Sequence, residues 1–390
     1  MADMKVGYLH LGREGGGVRR YGLMIAEATR ARTDATVLEV DGGERDTDRH
    51  RLAAAGRALM ATEVVHLQWK PADWGGGLRA LVRLRAFASA CDRPLVVTLH
   101  DVWERTSFRR RWVDSDAWAL RWLGRAVGRH GGHLVVHGQE ELRRLVGLVP
   151  AESIAVVPHF VEERASLDDA GVGSEAGAAQ TAEAGAQTAI VAREALGLGG
   201  KRVITILGFM VRRKGYRLTI EALRFLPADV VALFAGGPIA GREARADELR
   251  AYAEQLGVGE RVTITGYVAS ERLEQALTAT HVAICPFRDL SASGSLSTWI
   301  SAGRPIVTSD LPQFREYDEL EPGALRIFQP LSAEGLAGAV RAVLEEGPPM
   351  RDPRVVALAE RLATPRVVER YLEVYRASLA PDVGDRTGSA

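Results

Sequence analysis

The chain has 390 residues, which exceeds one ordinary domain and predicts two. Its 50 basic and 50 acidic residues cancel, so the charge argues against nucleic acid or a strongly acidic molecule as the partner. The two cysteines, Cys91 and Cys285, lie far apart in a chain that is not cysteine-rich, which argues against a disulfide scaffold and is typical of a reduced cytosolic protein.

Residues 1–164 form the first predicted domain, in which short apolar runs alternate with amphipathic segments. This alternation is typical of an α/β domain with a parallel sheet covered by helices. The first strand starts close to Met4 with no visible signal peptide, and no apolar run approaches the roughly 18 residues of a membrane span, so we expect a cytoplasmic protein. The predicted strands are Val6–Leu11, Thr36–Val40, Val64–Trp69, Leu95–His100, Leu134–His137 and Ile154–Val157.

Three glycines, Gly15, Gly16 and Gly17, follow the first predicted strand and open a helix. Glycine at this place lets the backbone approach a phosphate or a sugar closely. The alternative is a tight turn without a ligand, and the glycines alone do not decide between the two.

The segment 102–129 combines four tryptophans with seven arginines and three acidic residues. Helical spacing relates Trp118, Trp122, Leu123 and Ala126, so we expect these four residues to face the core. For the basic and aromatic start, Trp103–Trp112, one hypothesis is contact with anionic lipid at the inner face of the membrane or with a phosphorylated acceptor. The other is an ordinary helix and loop of the acceptor-binding domain.

Three histidines, His130, His133 and His137, lie close together in the sequence. No carboxylate or cysteine pattern completes a metal site around them. We therefore expect no metal there.

Residues 165–192 are rich in Ala, Gly, Glu, Gln and Thr and lack aromatic side chains. A segment of this composition has little to bury. We predict a flexible low-complexity linker, disordered or loosely helical, between the two domains.

The second predicted domain, residues 193–364, repeats the rhythm of strands and helices but not the sequence of the first. A final helix is predicted over residues 365–380, followed by a tail at 381–390. The predicted strands are Val203–Leu207, Val230–Ala235, Val262–Thr265, Val282–Cys285 and Ile306–Ser309.

The basic turn from Gly208 to Gly215 follows the first strand of this second domain. It contains Arg212, Arg213 and Lys214, and lysine is scarce in a chain with only four. Fixed cations at a strand's carboxyl end stabilise the charge that a nucleoside diphosphate gains as it leaves a sugar. The alternative interpretation is a solvated basic turn, and the position of the motif favours function.

A second anion-binding pattern lies at Ser293–Ser295, which opens a short helix after a strand. Free backbone N–H groups and the positive end of the helix dipole favour a bound anion there. Gly303 and Pro305 end the helix before the next strand begins. Open α/β sheets bind phosphorylated ligands in loops of this shape at the carboxyl end of a parallel strand. The loop also resembles the donor-sugar loop of a nucleotide-sugar glycosyltransferase.

Seven short segments along residues 4–380 occur in an order that resembles the GT4 family of retaining glycosyltransferases. That resemblance implies the GT-B fold, in which two Rossmann-like domains with parallel sheets face across a cleft. It also implies that the first domain binds the acceptor, that the second binds the nucleotide sugar, and that the last helix crosses back to the first domain. The segments are Gly16–Tyr21, Thr98–Asp101, Val156–His159, Lys214-Gly215, Ala235–Pro238, Thr265–Val268 and Ala302–Pro305.

The resemblance also implies functional residues. It places His100 near the transferred sugar, although a histidine at a strand end can also be structural. We predict His100 and Lys214 as catalytic, and Asp101 and Trp103 as acceptor-binding. The residues predicted to bind the donor phosphates and nucleotide are Gly16, Gly17, Arg212, Arg213, Lys214, Gly237, Tyr267, Ser293, Gly294, Ser295 and Thr298.

The chain departs from the family at two places. Phe209 stands where relatives often have an arginine after the glycine. The family's two glutamates would fall at Leu290 and Thr298, so that pair is absent, and the Ser293-Gly294 loop resembles a variant of the family that lacks it.

Together these patterns predict a metal-independent retaining glycosyltransferase of the hexosyltransferase type. It would move a sugar from a nucleoside-diphosphate sugar, as co-substrate and without a cofactor, to a hydroxyl of a glycan, glycolipid or natural product. Two alternatives stay open. One is a sugar-nucleotide epimerase or hydrolase of the same fold. The other is a non-catalytic sugar-nucleotide-binding partner protein, which the absent glutamates favour and Lys214 and His100 oppose.

Overall fold

The computed structural model describes residues 4–12, 17–41, 49–100, 102, 115–129, 131–161, 175–239, 241–289, 293–347 and 350–380. The strands, in chain order, are β1 Met4–Gly12, β2 Thr33–Asp41, β3 Val64–Trp69, β4 Leu95–Leu99, β5 His133–Val136, β6 Ile154–Val156, β7 Arg202–Leu207, β8 Val230–Ala235, β9 Val262–Ile264, β10 Val282–Cys285, β11 Ile306–Ser309 and β12 Leu325–Phe328. The helices are α1 Gly17–Thr29, α2 Arg49–Ala58, α3 Gly77–Ala88, α4 Ser115–Gly128, α5 Gln139–Leu145, α6 Glu175–Ala195, α7 Tyr216–Ala222, α8 Arg245–Gln255, α9 Ser270–Ala279, α10 Gly294–Ala302, α11 Pro312–Leu320, α12 Ala333–Glu346, α13 Pro353–Arg361 and α14 Thr364–Leu379.

The chain divides into two compact units. Unit 1 comprises Met1–His159 and Thr364–Ala390, and unit 2 comprises Phe160–Ala363. The last helix, α14, thus belongs to unit 1 although unit 2 precedes it in the chain.

Unit 1 is built on a parallel sheet of six strands in the order β2-β1-β3-β4-β5-β6. Its central strands β3 and β4 are buried along their whole length, as expected for a parallel sheet covered on both faces by helices. The strand order reverses between β1 and β3, so the carboxyl ends of these strands flank the usual ligand crevice of an open α/β sheet.

Unit 2 has a second parallel sheet of six strands, in the order β12-β11-β10-β7-β8-β9. Here the order reverses between β7 and β10. The basic turn, Gly208–Gly215, follows β7, and the segment Ser293–Ser295, which we call the serine loop, follows β10. Both therefore leave the sheet at this reversal, where open α/β sheets bind ligands. The strand β12, which completes the edge, was not among the predicted strands.

Two segments add detail to the sequence-based expectations. The segment predicted as a flexible linker, disordered or loosely helical, contains most of helix α6, because its many alanines have high helix propensity. Ala189 and Ala192 are buried, and α6 packs against α9, since small side chains let two helices approach closely. In α4, Trp122 packs against the core and Leu123 and Ala126 are buried, as predicted. The prediction for Trp118 is wrong, because its side chain is 51% exposed.

Within the described residues, no helix combines the length and the apolar character needed to cross a bilayer. The segment Trp103–Trp112, for which membrane contact was one hypothesis, lies outside those residues.

Candidate functional site

The candidate site of unit 2 centres on Lys214, in the short 3-10 turn that follows β7. Its Nζ donates hydrogen bonds to the carbonyl oxygen of Leu207, at 2.7 Å, and to Oγ of Ser295, at 3.1 Å. The same ammonium lies 5.4 Å from the centroid of the Phe287 ring, within the range of a cation–π contact. Lys214 therefore points into the unit, toward the serine loop, rather than into solvent.

Burial lowers the pKa of Lys214 to about 8, and the charge of Arg213 acts in the same direction. The side chain still carries its charge for the most part at pH 7. An anion bound beside it would relieve both effects, because an opposite charge favours the protonated form. A phosphate bound at this position would thus stabilise the protonated form of Lys214.

Two glycines make room for this arrangement. Gly208 has a φ of +107°, and a Cβ built on it would lie 2.4 Å from Nζ of Lys214. Gly215 has a φ of +77°, and its Cβ would lie 2.3 Å from the carbonyl oxygen of Pro286. Only glycine adopts these conformations without strain and without a clash. The glycines on either side of the basic turn therefore let Lys214 fold inward.

The serine loop supplies the other half of the site. Oγ of Ser293 accepts a hydrogen bond from the backbone N of Leu296 and so caps α10. The hydroxyls of Ser293 and Ser295 lie 3.1 Å apart, which links the helix start to Lys214. Thr298 donates to the carbonyl oxygen of Gly294 within the helix. An ammonium, two hydroxyls and the first turn of α10 thus converge, which is a chemistry that binds phosphate oxygens.

Two more predicted residues, Gly237 and Tyr267, lie next to each other in unit 2. A Cβ on Gly237 would lie 3.0 Å from the backbone N of Tyr267, whose side chain is 78% exposed. The carbonyl oxygen of Gly237 accepts a hydrogen bond from the backbone N of Met210. This ties the loop after β8 to the basic turn after β7, on the edge of the sheet that carries Lys214.

The other two cations of the basic turn, Arg212 and Arg213, are exposed. The carbonyl oxygen of Arg213 accepts a hydrogen bond from the backbone N of Arg288. Arg212 lines two cavities, and Lys214 is not among their lining residues in the described part of the chain. Of the three predicted cations, Lys214 is the one that reaches the serine loop.

In unit 1, the predicted catalytic residue His100 is buried directly after β4. Its Nε2 lies 2.7 Å from Oε1 of Gln68. An amide oxygen has no proton to give, so Nε2 of His100 is the donor and Gln68 fixes the tautomer. The other end of the Gln68 amide lies 3.2 Å from Nε2 of His66, which extends the network into the core.

This network continues into the last helix. Nδ1 of His66 lies 2.7 Å from the hydroxyl of Tyr375, and Nε2 of His66 lies 2.8 Å from Oγ1 of Thr98. Residues of β3, β4 and α14 are therefore joined beneath His100. Because the Gln68 amide contacts both His66 and His100, this network fixes the orientation of the His100 ring.

Around His100 lies a cluster of aromatic rings at the carboxyl ends of β4, β5 and β6. The ring of Tyr21 lies 5.2 Å from that of His100, 5.4 Å from that of His137 and 4.4 Å from that of His159. The hydroxyl of Tyr21 lies 3.1 Å from that of Tyr371. Within the ranges that the structure describes, no group of three His, Cys, Asp or Glu side chains is arranged to hold a metal ion.

The buried histidines of unit 1 have depressed pKa values because burial disfavours the charged ring. The pKa falls to about 4 for His10 and His137, to about 3 for His66, and well below its ordinary value for His100. All of them are neutral at pH 7. His100 can therefore act there as a hydrogen-bonding group but not as a cation.

Several residues of this cluster were not predicted as site residues, namely His10, His66, Gln68, His159, Tyr371 and Tyr375. A signal for some of them was present, because His66 and Gln68 are polar residues inside the apolar strand β3. Gly16, Asp101 and Trp103 lie outside the described residues. Gly17 is the exposed first residue of α1, and a Cβ on it would meet no heavy atom within 4 Å, so its surroundings do not require glycine.

Residues 201–346 match the family model of glycosyl transferases group 1, which covers most of unit 2. No curated protein is similar enough in sequence to count as a match.

Solved structures resemble the chain over nearly its whole length. Anabaena HepE in complex with UDP and glucose has a TM-score of 0.72 and 17% identity, and the match covers 96% of this chain and 100% of that chain. A glycosyltransferase from Rickettsia africae has a TM-score of 0.69 and 12% identity, covering 98% and 100%. Sucrose-phosphate synthase from Thermosynechococcus elongatus has a TM-score of 0.66 and 15% identity, covering 96% and 98%. The predicted fold class is confirmed: the chain is an α/β protein with two parallel-sheet units of the GT-B type.

Proposed function

We propose that the protein is a retaining glycosyltransferase that moves a sugar from a nucleoside-diphosphate sugar to an acceptor hydroxyl. The observation that carries this proposal is the convergence of Lys214, Ser295 and the start of α10 at the strand-order reversal of unit 2. The family match of residues 201–346 supports the reaction class. HepE has been solved with UDP-glucose, which makes a UDP-sugar the first donor to test.

In this proposal unit 2 binds the donor diphosphate. As the bond to the sugar breaks, the diphosphate gains negative charge. The Lys214 ammonium therefore stabilises the transition state more strongly than it stabilises the ground state. Ser293 and Ser295 donate hydrogen bonds to its oxygens. In line with the GT4 resemblance, the leaving phosphate itself accepts the acceptor's proton, and no protein nucleophile takes part.

We assign the acceptor side and the transferred sugar to unit 1. His100 is neutral and held by Gln68, so it can orient a hydroxyl without adding charge. Tyr21 and His137 are buried beside His100 and pack against its ring, which keeps His100 oriented.

A direct test is transfer or donor hydrolysis measured with a panel of nucleotide sugars, after a thermal-shift screen of nucleoside diphosphates. Specific binding raises the apparent melting temperature. A panel in which no nucleotide stabilises the protein and no sugar is released would overturn the proposal.

The alternative of a non-catalytic sugar-nucleotide-binding protein has one observation in its favour. Thr298 stands where the family has its second glutamate, and its hydroxyl is engaged with the Gly294 carbonyl of its own helix. Nucleotide binding without any turnover, over the whole panel, would select this alternative.

We expect transfer to proceed without a divalent metal, because Lys214 and the start of α10 supply the positive charge that a metal would otherwise bring. The measurement is turnover before and after exhaustive chelation. Turnover abolished by chelation and restored by Mg²⁺ or Mn²⁺ would contradict this prediction.

His100→Ala is expected to reduce transfer while nucleoside diphosphate affinity stays near that of the parent. The reason is that the predicted contacts of the nucleotide, apart from Gly16 and Gly17, lie in unit 2, whereas His100 lies in unit 1. Calorimetric UDP affinity and transfer rate are measured on the same preparation, with His50→Gln, an exposed histidine of α2, as the matched control. Equal loss of UDP affinity in His100→Ala and Lys214→Ala would refute the separation of roles.

A further inference from the structure

Four arginines from separate segments of unit 2 line one cavity of about 340 Å³. Arg212 comes from the turn after β7, Arg217 from α7, Arg245 from the start of α8 and Arg288 from the segment after β10. Because two loops and two helices contribute, the fold rather than a local basic run brings these charges together. We call this cavity the arginine pocket.

The charges of the arginine pocket are poorly balanced. Nη1 of Arg245 forms an ion pair with Oε2 of Glu248 at 2.8 Å. In the part of the chain that the structure describes, Arg212, Arg217 and Arg288 have no carboxylate within ion-pair distance. Like charges held together are unfavourable unless an opposite charge joins them, so the pocket gains from a bound anion.

One of these arginines is held in place by an aromatic ring. The guanidinium carbon of Arg217 lies 3.8 Å from the centroid of the Tyr252 ring, and the Tyr252 hydroxyl donates to Oε1 of Glu221 at 2.6 Å. Stacking of this kind orients the planar guanidinium and lowers the entropy that it loses on binding a ligand. Arg217 is therefore ordered before an anion arrives.

A larger cavity of about 630 Å³ adjoins the arginine pocket and shares Arg212 and Arg245 with it. Its lining includes the apolar residues Met210, Val211 and Ile239. Together the two cavities have the size and mixed lining of small-molecule sites. They leave room for an organic group beside the anion.

We propose that the arginine pocket binds a phosphate ester, as a site separate from the donor diphosphate placed at Lys214. Guanidinium groups bind phosphate through two parallel hydrogen bonds, and several of them around one cavity suit a ligand with more than one negative charge. The ligand is the phosphate of a second substrate or a free phosphorylated effector, since the chemistry of recognition is the same. This proposal stands on the pocket itself and does not require the proposed transferase activity.

The test is calorimetric titration of inorganic pyrophosphate into the full-length protein, with and without saturating UDP. Saturable binding is expected in both conditions. Arg288→Gln and Arg217→Gln are each expected to weaken it at least about tenfold, because each removes charge-assisted hydrogen bonds. Arg250→Gln is the charge-matched control, since Arg250 lies on the exposed side of α8, paired with Asp247, and is expected to change nothing.

With UDP saturating the donor site, Lys214→Ala is expected to leave pyrophosphate affinity unchanged. A change in UDP affinity when pyrophosphate is bound would identify an effector site, and unchanged UDP affinity would identify the anchor of a second substrate. The proposal is overturned by any of three results: no saturable binding, equal weakening by Arg250→Gln, or displacement of pyrophosphate by UDP together with its loss in Lys214→Ala. The last result would assign the pocket to the donor site.

Discussion

Lys214→Ala is expected to lower turnover by about 10²–10³-fold while the fold stays intact, as is typical when one preorganised contact to a developing charge is lost. The effect is large because Lys214 is the cation of its turn that reaches Ser295. Phe209, where relatives often have an arginine, supplies no replacement charge. Arg212 and Arg213 lie exposed on the same turn and would have to change rotamer to compensate.

Lys214→Arg is expected to recover only part of the activity. The enclosed space between Leu207, Gly208 and Ser295 is shaped for a compact ammonium, and a planar guanidinium does not reproduce its contacts.

The parent and Lys214→Arg are also expected to differ in the pH dependence of donor affinity. In the parent, donor affinity should weaken as pH rises through about 8, because the Lys214 ammonium then loses its proton. The arginine variant keeps its charge and should not show this loss.

The measurements for these variants are transfer rate, UDP affinity as a function of pH, and circular dichroism to establish the fold. Lys201→Ala, which removes an exposed lysine from the same unit, is the control and should behave as the parent. Near-parental turnover and affinity in Lys214→Ala would place the donor site elsewhere and would favour the binding-protein alternative.

The elements of this site could be predicted from the sequence because their signals are local. A basic turn between Gly208 and Gly215 directly after an apolar run, and serines before a helix that ends at Gly303, are patterns of neighbouring residues. Parallel topology follows from the alternation of strands and helices. Local patterns therefore locate the residues at the strand ends, but they do not tell which of three adjacent cations folds inward. That depends on the left-handed backbone at Gly208 and on space next to Pro286.

The histidine network of unit 1 could not be predicted in the same way, because its partners are distant in the sequence. His66 contacts Tyr375, which lies 309 residues later, and Tyr21 contacts Tyr371 across 350 residues. The helical spacing of α14 predicts that its tyrosines are buried. It does not predict that the Tyr375 hydroxyl lies at His66 of β3 or that the Tyr371 hydroxyl lies at Tyr21 of α1. The same limit applies to the arginine pocket, whose members come from separate segments. The packing of helix α6 could not be predicted for another reason. Composition rules for disorder count large apolar groups, whereas the alanines of α6 can pack closely.

Unit 1 is expected to lose stability steeply as pH falls from about 6.5 to about 4. In the unfolded chain, histidines titrate near 6.5. In the folded chain, burial holds the pKa of His10 and His137 near 4 and that of His66 near 3. Between these values the unfolded chain binds more protons than the folded chain, so the free energy of unfolding rises with pH in this window and falls as the solution is acidified.

The expected size is about 1.4 kcal/mol per pH unit for each such histidine, or roughly 3 kcal/mol each by pH 4. For several histidines this is a large part of the 5–15 kcal/mol that stabilises an ordinary domain. Denaturant unfolding at a series of pH values measures the slope directly.

His10→Leu gives the sharpest version of this test. Neither ring nitrogen of His10 has a hydrogen-bond partner among the described residues, so leucine removes the titration without removing such a bond. The slope between pH 6.5 and 4 should fall by the contribution of one proton, and the variant should be more stable than the parent at pH 5. If the parent's unfolding free energy is flat over this range, or if His10→Leu keeps the parent's slope, the folded chain accommodates a charged ring at His10, and the neutral histidine cluster assigned around His100 is wrong.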